Sequence, residues 1–130
     1  MVRQFAFAAV LVVLSSLAVF AADPWIGKEV FWKSGAKAKV GDSDSNIQLV
    51  PVPAKVGDVK GDWLWLGRAW VRKDDVLVSA QALGYYTDQI REKPLAAQNW
   101  NNRGAMWNNR GEFDNALRDL TQAIRLDPTF

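Results

Sequence analysis

The sequence predicts an α+β protein, a small β-barrel followed by three helices. Three observations lead there. Over residues 24–78, short runs rich in Val, Trp and Leu alternate with Gly, Asp and Ser clusters, the punctuation of strands and turns. From Ser79 onward, apolar residues recur at three and four, the period of an amphipathic helix. Within that second part Ala82 and Ala116, Tyr86 and Leu120, and Pro94 and Pro128 share one spacing of 34 residues, so the helical part repeats.

A leader precedes both parts. Residues 1–21 read as a secretory signal peptide: Arg3 supplies the positive start, and Phe5 to Phe20 is apolar apart from Ser15 and Ser16. Val19 and Ala21 fit the −3 and −1 positions of a cleavage site, so cleavage is expected near Ala21 or Ala22. The competing reading is a retained anchor, because this run approaches the roughly 17–25 residues of a spanning helix. Its shortness and the Asp23-Pro24 step that follows favour cleavage. The mature chain is then expected outside the cytoplasm, periplasmic or extracellular, with no stable membrane insertion.

The chain of 130 residues carries 16 Lys and Arg against 14 Asp and Glu, a net +2. Loss of residues 1–21 removes one Arg and no acid, leaving +1. That balance argues against nucleic acid, which calls for a clustered basic face. There is no Cys, so neither a disulfide staple nor a lipid-modified cysteine is available. Packing alone must hold the fold, and seven Trp, each able to bury on the order of 150–250 Å², suggest how.

In the β part, strands are expected over Val30 to Lys33, Gln48 to Val52, Trp63 to Leu66 and Ala69 to Val71. Pro51 and Pro53 restrict the second of these to an edge or a loop. About five short strands in roughly fifty residues fit a small barrel better than a sandwich. Gly61, Trp63, Trp65 and Leu66, then Ala69, Trp70 and Val71, then Asp74 and Asp75, resemble the closing strands of bacterial SH3-like domains. The resemblance implies an SH3-like barrel over residues 24–78.

The helical part, residues 79–130, starts at Ser79, read as an N-cap for a helix over Ala80 to Glu92. Leu83, Tyr86 and Ile90 form its apolar stripe, and Pro94 stops it. A second helix is expected over Ala96 to Asn109 and a third over Phe113 to Leu126, with Gly111 at the turn between them. The third places Phe113, Ala116, Leu117, Leu120, Ala123 and Ile124 along one stripe. Counted from Ala97, the ladder Trp100, Gly104, Trp107, Gly111, Ala116, Leu120, Ala123 and Pro128 resembles one tetratricopeptide repeat, a two-helix unit of 34 residues. Arg103 replaces the Leu usual before the glycine. By the same register, Ala80 to Pro94 is the second helix of a truncated preceding repeat. The resemblance implies that Gly104 serves close helix–helix contact. It also implies that Gln98, Asn101, Ala105, Asn108 and Asn109 line the concave, partner-facing surface. Because solenoid repeats bury their cores against neighbours, the third helix is expected to keep an apolar edge unless the barrel or a second chain covers it.

Chemistry offers little else. Neither His nor Cys is present, which removes the commonest general base and every thiol nucleophile. Asp74-Asp75 reads as a solvated turn, and no phosphate-binding glycine motif occurs. Asp42, Asp44 and Asn46 begin like a calcium loop, but Ile47 stands at the obligatory Gly and Pro53 at the bidentate Glu. No enzyme, metal or cofactor is therefore expected. By strand alternation Trp63 and Trp65 share one face and Leu64 and Leu66 the other, and one of the two faces must be core. If the first is exposed, Trp63 and Trp65 form an aromatic groove. The expected function is a non-enzymatic protein–protein adaptor of the bacterial envelope or exterior, possible self-association included. The alternative is a cell-wall (peptidoglycan) targeting module acting through the SH3-like part.

Overall fold

A computed structural model describes residues 21–129. All but the last residue of the expected signal peptide therefore lies outside the described residues. No described helix is long and apolar enough to cross a membrane. Eight short strands precede three helices: β1 Glu29–Trp32, β2 Ala38–Val40, β3 Ser43–Ser45, β4 Ala54–Lys55, β5 Asp58–Lys60, β6 Trp63–Trp65, β7 Trp70–Arg72 and β8 Val76–Val78, then α1 Ser79–Glu92, α2 Ala97–Asn109 and α3 Phe113–Leu126.

The α+β prediction holds, with corrections to its β part. The strands form two sheets, β4-β1-β8 and β3-β2-β7-β6-β5, with antiparallel pairing throughout, and these do not close into one hydrogen-bonded ring. The strand expected over Gln48 to Val52 is instead a 3-10 turn, Ile47–Leu49, capped by the Asn46 side chain on the Gln48 N–H. Pro51 and the cis Val52–Pro53 bond follow it. Two-residue Gly-Asp hairpins join β2 to β3 and β5 to β6, with φ of 60° at Gly41 and 55° at Gly61. Positive φ at the first turn residue suits glycine and matches the twist of the flanking strands. The calcium-like stretch is thus a hairpin whose Asp44 lies opposite Lys39. Asp74 and Asp75 sit in a second 3-10 turn.

The sheets enclose one core. Register places Val59, Leu64, Val71, Ala38 and Ser45 in a single row across the five strands. Leu64, Val71 and Ala38 are fully buried there beside Val30, Trp32, Val50 and Val56. Trp32 is a core residue, its indole N–H donating to the Val50 carbonyl at 3.3 Å.

The helical part is not tethered by a linker. Val78 ends β8 and also stands at the N-cap of α1, without a side-chain cap, so Ser79 is the first helical residue rather than the cap. Phe31 and Leu77 of the β4-β1-β8 sheet, Ala82 and Tyr86 of α1 and Met106 of α2 make a second buried cluster. Two phenols fasten it: Tyr86 donates to the Trp32 carbonyl at 2.6 Å, and Tyr85 accepts from the Ser34 N–H at 2.9 Å. Burial pushes the Tyr86 phenol well above its ordinary range, and the neighbouring Tyr85 adds to the shift against the opposing hydrogen bond of Asn102. α1 and α3 are equivalent helices, since Ser79 maps to Phe113 and Glu92 to Leu126 at the 34-residue period. Strands occupy the region where a first helix before α1 would lie.

Candidate functional site

Two surfaces hold the sequence-predicted site residues, one on the helices and one on the five-stranded sheet. The helical surface depends on how closely α2 approaches α3. At Gly104 a Cβ atom would stand 2.8 Å from Leu120 Cγ and 3.3 Å from its backbone N, so only glycine fits without displacement. Ala116 and Ala123, buried on α3, are the other small residues at the crossing. The close contact expected of Gly104 is present.

The departure at Arg103 has a partner that sequence reasoning missed. Its guanidinium forms a forked pair with Asp119 of α3, at 2.6 Å from Nε and 2.9 Å from Nη2. The Trp107 indole donates to the same carboxylate at 3.1 Å, and Arg103 Nη1 reaches the Thr87 hydroxyl of α1 at 3.3 Å. Arg103 also lies over the Trp100 ring at 5.3 Å, and Trp100 donates to the Pro94 carbonyl. Asp119 is buried, and a charge can be buried where it is paired and hydrogen-bonded. One ionic junction thus ties all three helices together where the repeat pattern has a leucine. The signal was present in the sequence: a cation in an apolar ladder position calls for an acid one helix away.

On a helix of 100° per residue, Gln98, Asn101, Ala105, Asn108 and Asn109 fall within a stripe about 100° wide. Asn99, Asn102 and Met106, by contrast, are buried, Met106 against α1 and the sheet, and Gly104 is buried against α3. The stripe runs from half-buried Gln98, Asn101 and Ala105 to exposed Asn108 and Asn109. Gln98 donates to Asn102 at 2.7 Å, which leaves its own carbonyl without a partner. An amide both donates and accepts, so such a row can meet both groups of an extended backbone.

The second surface lies on the side of the five-stranded sheet opposite Leu64. Register aligns Asp58, Trp65, Trp70, Lys39 and Asp44 in one row, and Lys60, Trp63 and Arg72 in the next. Trp65 and Trp70 contact at 5.4 Å with a tilt of 52°. Lys39 and Arg72 sit over Trp63 at 5.5 and 5.7 Å, and Lys60 over Trp70 at 5.1 Å. Lys39, Gly41, Asp42, Lys60, Trp63 and Trp70 line a shallow depression of about 390 Å³. The tryptophans therefore divide: Trp32 is core, whereas Trp63, Trp65 and Trp70 are half-buried on the outer face. Strand alternation placed Trp63 and Trp65 on one face, and the structure adds Trp70 and the cations that cover the rings.

These features define a helical repeat unit packed onto a β module. Residues 97–130 match the family model described as Tetratricopeptide repeat. The match covers the ladder from Trp100 to Pro128 and does not extend to the β part. No solved structure matches the chain. Such repeats serve as protein–protein interaction modules, and the match suggests that role for this segment.

Proposed function

We propose that this protein is a non-enzymatic adaptor that acts in the bacterial cell envelope or exterior and holds a protein or peptide partner on its helical unit. The observation that carries this reading is the stripe Gln98, Asn101, Ala105, Asn108 and Asn109, on a side of α2 away from its buried contacts, within a segment that matches an interaction repeat. The leader at residues 1–21 supports export. N-terminal sequencing of the protein recovered from outside the cytoplasm is expected to begin near Ala22. A retained leader found in membranes would favour the anchor instead.

Crosslinking in cells supplies candidate partners, and titration calorimetry of a purified partner tests the surface. Replacing Asn101 and Asn108 together by Ala is expected to weaken binding about tenfold, since each loses hydrogen bonds of roughly 0.5–1.5 kcal/mol, while the circular dichroism spectrum stays unchanged. A folded mature chain that captures no envelope protein would sink the proposal.

A second reading rests on the outer tryptophan face. Trp63, Trp65 and Trp70 with Lys39, Lys60 and Arg72 would suit an anionic cell-wall ligand, and the SH3-like resemblance points the same way. Co-sedimentation with purified peptidoglycan separates the readings. Loss of pelleting on Trp65→Ala but not on Asn101→Ala would place the site on the sheet.

A further inference from the structure

α3 carries an apolar stripe that nothing among the described residues covers. Phe113, Leu117 and Ile124 are 66, 67 and 55% exposed, and at 100° per residue they fall within about 40° of one another. One flank of the stripe is closed by α2, against which Ala116 and Ala123 are buried. The other flank is open and carries exposed Asp114 in the first turn and exposed Arg125 in the last.

We propose that this stripe is a self-association surface on which α3 of one copy lies antiparallel against α3 of a second copy. The charge pattern selects that occupant and that direction. In a twofold antiparallel pair, like flanks of the two helices face each other. Asp114 then meets Arg125 of the partner subunit, and the contact occurs twice by symmetry. The helix dipoles are opposed as well, each N-terminus beside the other C-terminus. A parallel pair would instead press one open flank against the flank that α2 already fills. α2 of the second copy is not free to serve, because it is already packed on its own α1 and α3. A contact one helix long is small for a stable interface, so the dimer is expected to dissociate on the order of micromolar. This inference is independent of what the amide stripe or the tryptophan face binds.

Sedimentation velocity on the mature chain tests it over a wide concentration range. A monomer–dimer equilibrium is expected, with Leu117→Glu abolishing the dimer and leaving the circular dichroism spectrum intact. Asp114→Arg and Arg125→Asp are each expected to weaken the dimer about tenfold by turning two attractive pairs into repulsive ones. The doubly reversed variant is expected to recover it. Because the chain has no cysteine, Asp114→Cys with Arg125→Cys gives a clean readout. Eleven residues of helix separate the two positions by about 16 Å, beyond disulfide reach within one chain, so oxidation must join two copies. A chain that stays monomeric at every concentration would overturn the proposal. So would failure of the double reversal to restore association, or crosslinking by Asp114→Cys alone as readily as by the pair.

Discussion

α1 and α3 occupy the same place in the repeat, 34 residues apart, and end in opposite circumstances. Ile90 is 7% exposed, whereas its counterpart Ile124 is 55% exposed. Leu83 packs beside the buried cluster of Phe31, Tyr86 and Met106, whereas its counterpart Leu117 stands in the open. Propensity does not explain this, since the residue types match. Neighbours do. α1 lies between α2 and the β4-β1-β8 sheet, while α3 has α2 on one side only. A sheet has therefore replaced the missing first helix of the earlier half-repeat, and it closes one end of the helical stack. The other end is left available.

The strongest way to break this comparison is to disable the closed end. Tyr86→Ala removes a buried ring packed edge-on against Phe31 and a hydrogen bond to Trp32. It is expected to cost about 3–5 kcal/mol. In urea, fluorescence of the sheet tryptophans and helical circular dichroism should fall together, because the cluster spans both parts. Separate transitions would show that the sheet does not hold the stack. Tyr86→Phe sharpens the test through pH. The folded phenol titrates above the ordinary 10.0, so its stability contribution is complete below about pH 10 and is lost as pH rises beyond. The Phe variant should lose that alkaline decline.

Next in size is the junction at Asp119. Asp119→Ala strands the Arg103 guanidinium and the Trp107 indole, at a cost of about 3 kcal/mol in denaturant titration. Replacing Arg103 and Asp119 together by Leu is expected to recover most of that, since an apolar pair needs no compensating charge. Gly104→Ala is smaller. Overlap with Leu120 costs about 1–3 kcal/mol, against roughly 1 kcal/mol gained in helix propensity, so a net thermal destabilisation is expected. Leu117→Ala at the open end should change the unfolding free energy of the monomer by less than about 0.5 kcal/mol. The same change at its counterpart, Leu83→Ala, should cost about 2 kcal/mol. Equal effects at the two positions would erase the distinction.

The two parts of the chain were not equally legible in the sequence. Helices show themselves through local periodicity, and so the three expected spans agree with the structure to within a residue at each end. Strands of two to four residues carry too little pattern. Only register and burial revealed β2, β3, β4 and β5, and turned the expected strand at Gln48 into a 3-10 turn before two prolines. Among the site residues, Gly104 was readable because a glycine inside a helix is costly unless another helix must come close. Asp119 was not, because its position resembles any solvent-facing acid until Arg103 is placed against it.

By itself, the sequence determined the class of fold, the helix boundaries, the 34-residue equivalence of α1 and α3, and the separation of Trp63 and Trp65 from Leu64 and Leu66. All of these follow from the periods of backbone geometry, which act over a few residues. The tertiary structure alone decided which tryptophans are core, which end of the stack the sheet closes, and that Phe113, Leu117 and Ile124 remain exposed. Those outcomes depend on what packs against a face, and an apolar stripe reads the same in sequence whether or not a neighbour covers it.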